Sequence, residues 1–472
     1  MTPDDQRGRW VALIVCCSAM FMTLLDVSVT NVALPSIGRD LDAGSAELQW
    51  IVSGYTLAFG LVPVLGGKLG DDHGRRLMFQ IGVGGFAVTS LLSGLAPGAG
   101  LLIGARVLQG LFGGLINPQT SGLVQQMFHG HERGRAFGVL GTTVGLGTAV
   151  GPLIGGALIG LGGPTLGWRL VFFINLPIAV IVILLARRLL PAPTESVRHR
   201  LDVLGAGMLG LATFCILFAC VEYDVAHDAR LAWLAVPAAV LLAMFLRRER
   251  RLTLLARDPL VDLRLFRRPS YVAGSTLALT FFPAMAGLPL VLAIYYQYGL
   301  GYTPIESALG VTAYAVGAGI SAPLVGRVVT RVGRPLVVGG AVTFGIGAVA
   351  LALVPPHVPH DAALALAAPL FVMGCGQGAV ITPNQTLALM DVDPLMGSTA
   401  GGVLQTSQRI GLAIGQAVIG TVFFNSIAGS GPAAYAHALG HAVLAALCFI
   451  ALAVAIGVHD LVRARRRQPQ IG

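Results

Sequence analysis

Apolar runs long enough to cross a bilayer, about 20 residues each, recur about fourteen times along this chain. They fall near 10–36, 49–66, 77–96, 101–127, 136–160, 170–190, 202–222, 231–246, 271–296, 306–325, 335–354, 362–389, 397–424 and 438–459. Only 11% of the 472 residues are charged, against about 25% in soluble domains, and the mean hydropathy is +0.78. The chain therefore reads as an all-α integral membrane protein whose first partner is the lipid bilayer. The short polar start, MTPDDQRGR, carries no small-residue cleavage site, so the first run is expected to be an uncleaved span.

The net charge of +9 does not point to nucleic acid. The basic residues cluster in alternate loops, at Arg75 and Arg76, Arg133 and Arg135, Arg187 to Arg200, Arg247 to Arg268, Arg327 to Arg334, and in the tail from Arg463. By the positive-inside rule these loops are cytoplasmic, and so are both termini. Trp10, Trp50, Trp168 and Trp233 all fall at span ends, where interface anchors belong. The six cysteines lie inside apolar runs with no CxxC pair, so neither a disulfide framework nor a metal site is expected.

An internal repeat divides the chain. GGLINPQTSGL (113–123) resembles QGAVITPNQTLAL (377–389), and Gly147 and Gly151 correspond to Gly411 and Gly415. Parallel repeats of this kind build transporters from two related halves. The expected domains are a six-helix bundle over 1–190, two extra helices with cytoplasmic linkers over 191–268, and a second six-helix bundle over 269–472. A weaker echo joins GGKLGDDHGRR (66–76) to GRVVTRVGR (326–334), with Thr330 in place of Asp71.

One uncharged stretch, GTTVGLGTAVGPLIGG (141–156), would make a poor soluble helix. Its glycines at 147, 151 and 155 recur every fourth residue and share a helical face. In lipid such a face lets a neighbouring backbone approach closely, and neighbours re-satisfy the carbonyl that a proline such as Pro152 frees. A tight packing face is the plain alternative to a functional motif.

Five motifs in order resemble the major facilitator superfamily, and within it the fourteen-span drug:proton antiporters. LDVSVTNVALP (25–35) is similar to that family's first-helix motif, and GGKLGDDHGRR to its cytoplasmic loop. RVLQG (106–110), the glycine run and WRLVFFINLPI (168–178) follow at family spacing. The resemblance implies two six-helix bundles plus two extra helices. It implies an antiporter motif at Gly147, Gly151, Pro152, Gly155 and Gly156, and a gating loop at Gly67, Asp71, Gly74, Arg75 and Arg76. Asp72 stands where the family usually has arginine.

Asp26 lies ~24 Å along its helix from Trp10 at 1.5 Å per residue, near the bilayer middle, and no other acid falls so deep in a span. Intramembrane carboxyls are costly and usually functional, here in binding a coupling proton. Arg106, about two turns inside the fourth helix, would pair with Asp26 when that acid is ionised. The alternatives are a helix-packing aspartate and an arginine snorkelling to the interface. Asn31, Gln109, Asn117, Gln385, Gln405 and Arg409 are polar positions inside spans that line a central cavity or bond helices together.

The expected function is proton-coupled export of lipophilic drugs or antibiotics from the bacterial cytoplasmic membrane, by a functional monomer. The proton-motive force would drive it without a cofactor; no Walker-type loop is present, because Leu69 follows Lys68. The rivals are a proton-coupled nutrient importer and a dedicated exporter of one self-made antibiotic. A membrane enzyme lacks any HExxH or Ser/Lys arrangement, so no catalytic residues are expected. With Asp26 the single deep acid, substrates are expected to be neutral or singly charged, that acid serving both proton and substrate.

Overall fold

The computed structural model describes residues 3–192, 202–226, 229–255, 257–354, 362–429 and 431–467. Sixteen α-helices run in order: α1 (Pro3–Asp40), α2 (Ser45–Leu61), α3 (Pro63–His73), α4 (Arg75–Gly94), α5 (Ala99–Met127), α6 (Gly130–Phe173), α7 (Asn175–Leu189) and α8 (Val203–Ala226). They continue as α9 (Ala235–Leu254), α10 (Pro269–Ile294), α11 (Pro304–Gly310), α12 (Thr312–Val332), α13 (Arg334–Leu353), α14 (Ala362–Ala388), α15 (Gly397–Asn425) and α16 (Pro432–Arg467).

Glycine and proline punctuate this run. Pro63 opens α3, and α2 and α3 meet at a 46° bend, as expected where proline removes a backbone donor. Gly74 and Gly333, equivalent in the two halves, take φ of 99° and 70° and separate α3 from α4 and α12 from α13. Side chains avoid that region of backbone space, so glycine holds both turns. Inside α6 the chain reverses at Gly163, and a Cβ on Gly167 would lie 2.7 Å from the Cα of Ile159.

The two halves repeat the same pairings. In the first, α1 packs on α6, α2 and α4 pack on α5, and α7 packs on α1 and α4. In the second, α10 packs on α15, α12 and α13 on α14, and α16 on α10 and α13. Two seams join them: α6 against α12, and α3 with α5 against α15. Helix α8 leans on α2 from one half and α15 from the other, and α9 packs chiefly on α8. At the start of α8, Asp202 accepts from Arg248 of α9.

Twelve helices among the described residues are long and apolar enough to cross a membrane, or thirteen if the bent α2–α3 pair counts as one span. The protein is thus an all-helical, multi-pass membrane protein. The fourteenth expected run lies in α15, which has 29 residues. Its polar stretch Gln405-Thr406-Ser407-Gln408-Arg409 lowers the hydropathy below that of the other spans. The tryptophans divide: Trp233 is 75% exposed, as an anchor should be, but Trp168 is fully buried and donates to Asp40 at 2.9 Å. Trp168 is a packing residue inside the first half.

Candidate functional site

Asp26 sits in the middle of α1 and is 1% exposed. Every hydrogen bond given to its carboxylate comes from a side chain on another helix. Arg106 Nη1 of α5 donates to Oδ2 at 2.5 Å. Gln109 Nε2, one turn along α5, and Asn175 Nδ2, at the start of α7, each donate to Oδ1 at 2.9 Å. The same two amides donate to Ser90 Oγ of α4, at 2.6 and 3.0 Å. Arg106 donates as well to Gln109 Oε1 and to the Ile51 carbonyl, and its guanidinium lies 4.3 Å from the Tyr55 ring centroid. A buried ion pair needs this many partners, because desolvating either charge alone is costly.

A cavity of about 310 Å³ adjoins the cluster. Helix α1 lines it through Thr23, Val27 and Asn31, and α2 through Tyr55 and Phe59. Leu217 of α8 and Arg409 of α15 complete the wall, and no Asp or Glu is among the described residues that line it. Thr23 and Val27 bracket Asp26 on α1, and Tyr55 lines the cavity while packing on Arg106. Charge cluster and cavity therefore share a wall. A Cβ on Gly60 would lie 2.5 Å from Leu217 Cδ1, so glycine at this position lets α8 reach the cavity.

The glycine run of α6 lies directly against the acid-bearing part of α1. A Cβ on Gly147 would meet Leu24 Cβ at 2.9 Å, one on Gly151 would meet Ser28 Cβ at 2.3 Å, and one on Gly155 would meet Val29 Cγ1 at 3.0 Å. Pro152 is half-buried beside this row, and Gly156 has open space around it. Gly156 is thus the one glycine of the motif that packing does not require. The second half repeats the contact: a Cβ on Gly411 would lie 3.0 Å from the Ala278 carbonyl of α10, and one on Gly415 would overlap Pro283.

At the end of the molecule where α1 begins, the two halves are latched. Asp71 of α3 accepts the backbone N–H groups of Ser398 and Thr399 at 3.1 and 2.8 Å, and the Thr399 hydroxyl at 2.8 Å. These amides belong to the first turn of α15, which has no helical partners for them and favours negative charge. Arg75 fixes Asp71 through two bonds to Oδ1, and also donates to the carbonyls of Gly122 and Pro394. Gly67 allows the approach, since a Cβ there would overlap the Ser398 backbone. Arg76 instead donates to the Arg187 and Leu190 carbonyls at the end of α7. Asp72 pairs with Lys68 at 3.1 Å. In the weaker second copy, Arg334 pairs with Asp460 of α16.

Asp26, Arg106 and Gln109 come together as one cluster, and Asn31 and Arg409 line the cavity. Gln405 instead bonds Ser121 across the seam at 3.2 Å, while Asn117 and Gln385 are half-buried away from the cavity wall. In this arrangement the Asp26 carboxylate is enclosed by donors and is not among the residues that line the cavity. Asn175 and Ser90 escaped notice in the sequence. An amide within the apolar run of WRLVFFINLPI was a signal for the first; a lone serine in a span is none for the second.

A family model described as Major Facilitator Superfamily matches residues 16–416. The "Probable actinorhodin transporter" of Streptomyces coelicolor is 38% identical over 427 residues, 89% of this chain and 74% of that protein. The "Tetracenomycin C resistance and export protein" of Streptomyces glaucescens is 32% identical over 443 residues, 92% of this chain and 79% of that one. Among solved structures, the proton:xylose symporter XylE superposes with a TM-score of 0.66 at 15% identity, covering 96% of this chain and 95% of that one, a likeness of fold alone. Two pseudo-repeated helical halves around a central cavity define a secondary transporter. The chain belongs to the Major Facilitator Superfamily, and it is a small-molecule transporter, not an enzyme.

Proposed function

We propose that this protein exports lipophilic, antibiotic-like molecules across a bacterial cytoplasmic membrane in exchange for protons, by alternating access between its halves. The names carried by the relatives, actinorhodin transport and tetracenomycin export, supply the substrate class. The observation that carries proton coupling is the shared wall: Thr23 and Val27 line the cavity on either side of Asp26, and Tyr55 joins it to Arg106.

Asp26 carries the coupling proton. With Asp26 ionised, Arg106 and the two amides hold α1 to α5 and α7. Protonation removes the charge that Arg106 answers and frees α1 to move against the glycine face of α6. The latch at Asp71 then opens and the latched end of the cavity is exposed. Substrate entry and proton release reverse these steps. Each inward proton releases roughly 2.3 kcal/mol per 100 mV of potential, and neither a cofactor nor a metal is needed.

In this reading α15 is a span despite its polar stretch, because that stretch faces the cavity and the seam. The count is then fourteen, with both termini cytoplasmic and the latched end facing the cytoplasm. The bundles are 1–190 and 269–472, with α8 and α9 between them in 191–268, and the monomer is the working unit.

The test is efflux measured in inverted vesicles under an imposed pH gradient, across a panel of antibiotics and dyes. Asp26→Asn keeps the shape and cannot titrate, so gradient-driven transport should vanish, while Asp26→Glu should retain part of it with an altered pH profile. Uphill transport persisting in Asp26→Asn would place the coupling proton elsewhere.

A further inference from the structure

Among the described residues, nothing pairs with the one cation that lines the cavity. Arg409 projects from the middle of α15 into the space between α1, α2 and α8. Its guanidinium stacks 4.2 Å from the centroid of Phe59. Among the described residues it makes no hydrogen bond and no ion pair. The other arginine nearby, Arg106, is fully matched by Asp26, so the two charges of that pair cancel and leave Arg409 in excess.

Such an arginine is costly at this depth. A guanidinium in a membrane interior ordinarily pairs with a carboxylate, with backbone carbonyls or with water in a cavity. Stacking on an aromatic face recovers only part of that cost. The Tyr55 ring lines the same wall, but its hydroxyl is buried against Gly113 of α5 and does not open to the cavity. An unmatched guanidinium, with no acid among the described lining residues, describes a site for an acceptor with negative charge. Most of the remaining surface is apolar, from Leu24, Val27, Phe59, Leu217 and Leu412, and its other polar positions, such as Asn31 and Gln416, are neutral.

We infer that the substrate is a lipophilic anion, whose carboxylate or phenolate docks on Arg409 beside Tyr55 while its apolar body lies against Phe59 and Leu217. This rests on the reading of the cavity as the transport site, and it narrows the substrate class from neutral or singly charged molecules to anionic ones. A planar guanidinium offers bidentate bonds to a carboxylate, stronger than those between neutral groups. Cationic compounds would meet Arg409 as a like charge. The sealed Asp26 would not compensate them while Arg106 holds it.

Equilibrium binding to the full-length protein in nanodiscs of phosphatidylcholine tests this, since no anionic headgroup then competes. Three probes share the naphthalene ring and carry a small substituent of different charge: 2-naphthoate, 2-naphthol and 2-naphthylmethylammonium. Naphthoate should bind about tenfold or more tighter than the ammonium compound. Arg409→Gln should weaken naphthoate about tenfold and leave naphthol within about twofold, whereas Arg409→Lys should keep the preference for the anion. Equal or tighter binding of the cation, naphthoate affinity unchanged in Arg409→Gln, or no measurable naphthoate binding would each overturn the inference. The comparison of probes on the unaltered protein stands even if a variant fails to fold. No gradient is imposed, so a failure of proton coupling would leave these affinities intact. Conversely, a wrong substrate class would leave gradient-driven efflux of other compounds in place.

Discussion

Asp71 and Thr399 join the two halves of the molecule: one carboxylate oxygen accepts both the backbone N–H and the hydroxyl of Thr399 at 2.8 Å. The acid caps a helix that belongs to the other repeat. Hydrogen bonds to charged groups contribute about 1.5–3 kcal/mol, enough to set which end of a two-state transporter is closed. Asp71→Asn keeps the side-chain volume and loses the charge. A cysteine at Ser121, now buried at the seam, should then be alkylated roughly tenfold faster in inverted vesicles. An unchanged rate would mean that the seam is held by packing alone.

The pair of Asp26 and Arg106 makes a different prediction about stability. Removing one member of a buried ion pair leaves the other charge unmatched and costs about 3–5 kcal/mol. Arg106→Gln should therefore lower the thermal midpoint of the detergent-solubilised protein. Adding Asp26→Asn should restore most of the loss, since the unmatched carboxylate is then gone, yet transport should stay absent. If the double variant were no more stable than Arg106→Gln, the pair would not be the reason for the loss.

Gly151 faces Ser28 so closely that any side chain forces α6 and α1 apart. Gly151→Leu should abolish transport while the protein still inserts, because insertion follows hydrophobicity and not helix packing. Gly156, with open space around it, is the internal control: Gly156→Ala should transport within about twofold of the unaltered protein, since alanine adds no clash and is the better helix former. Normal export by Gly151→Leu would show that the glycine face has slack.

Leu217 brings an extra helix into the cavity wall, which gives α8 a task beyond spanning. Leu217→Trp should fill part of the cavity and weaken substrate binding by about tenfold, a loss of roughly 1.4 kcal/mol. Leu211→Trp, on the 52% exposed face of the same helix, should leave binding unchanged. Equal effects of the two would indicate a general disturbance of α8, to be read from substrate affinity in purified protein.

Much of the fold was legible in the chain itself. Span length is a local property, so the apolar runs marked nearly every long helix, and the two halves announced themselves through Gly147 and Gly151 recurring as Gly411 and Gly415. Arg106 and Gln109, three residues apart, had to share a helix face. Asp26 stood out because an acid in hydrocarbon is rare. Residue type and spacing along a single helix carry all of this information.

What the chain did not show depends on contacts between residues far apart in sequence. Asn175 reaches Asp26 across 149 positions and Thr399 reaches Asp71 across 328. No helical period links such pairs; packing of separate helices does. The same packing decided that Asp26 is sealed from the cavity and Arg409 open to it, though both read as polar residues inside apolar spans. The sequence determined which groups enter the membrane, because hydrophobic length and helical period are written locally. Only the tertiary structure decided which of those groups are matched and which are left to meet a ligand, because matching a charge requires a partner on another helix.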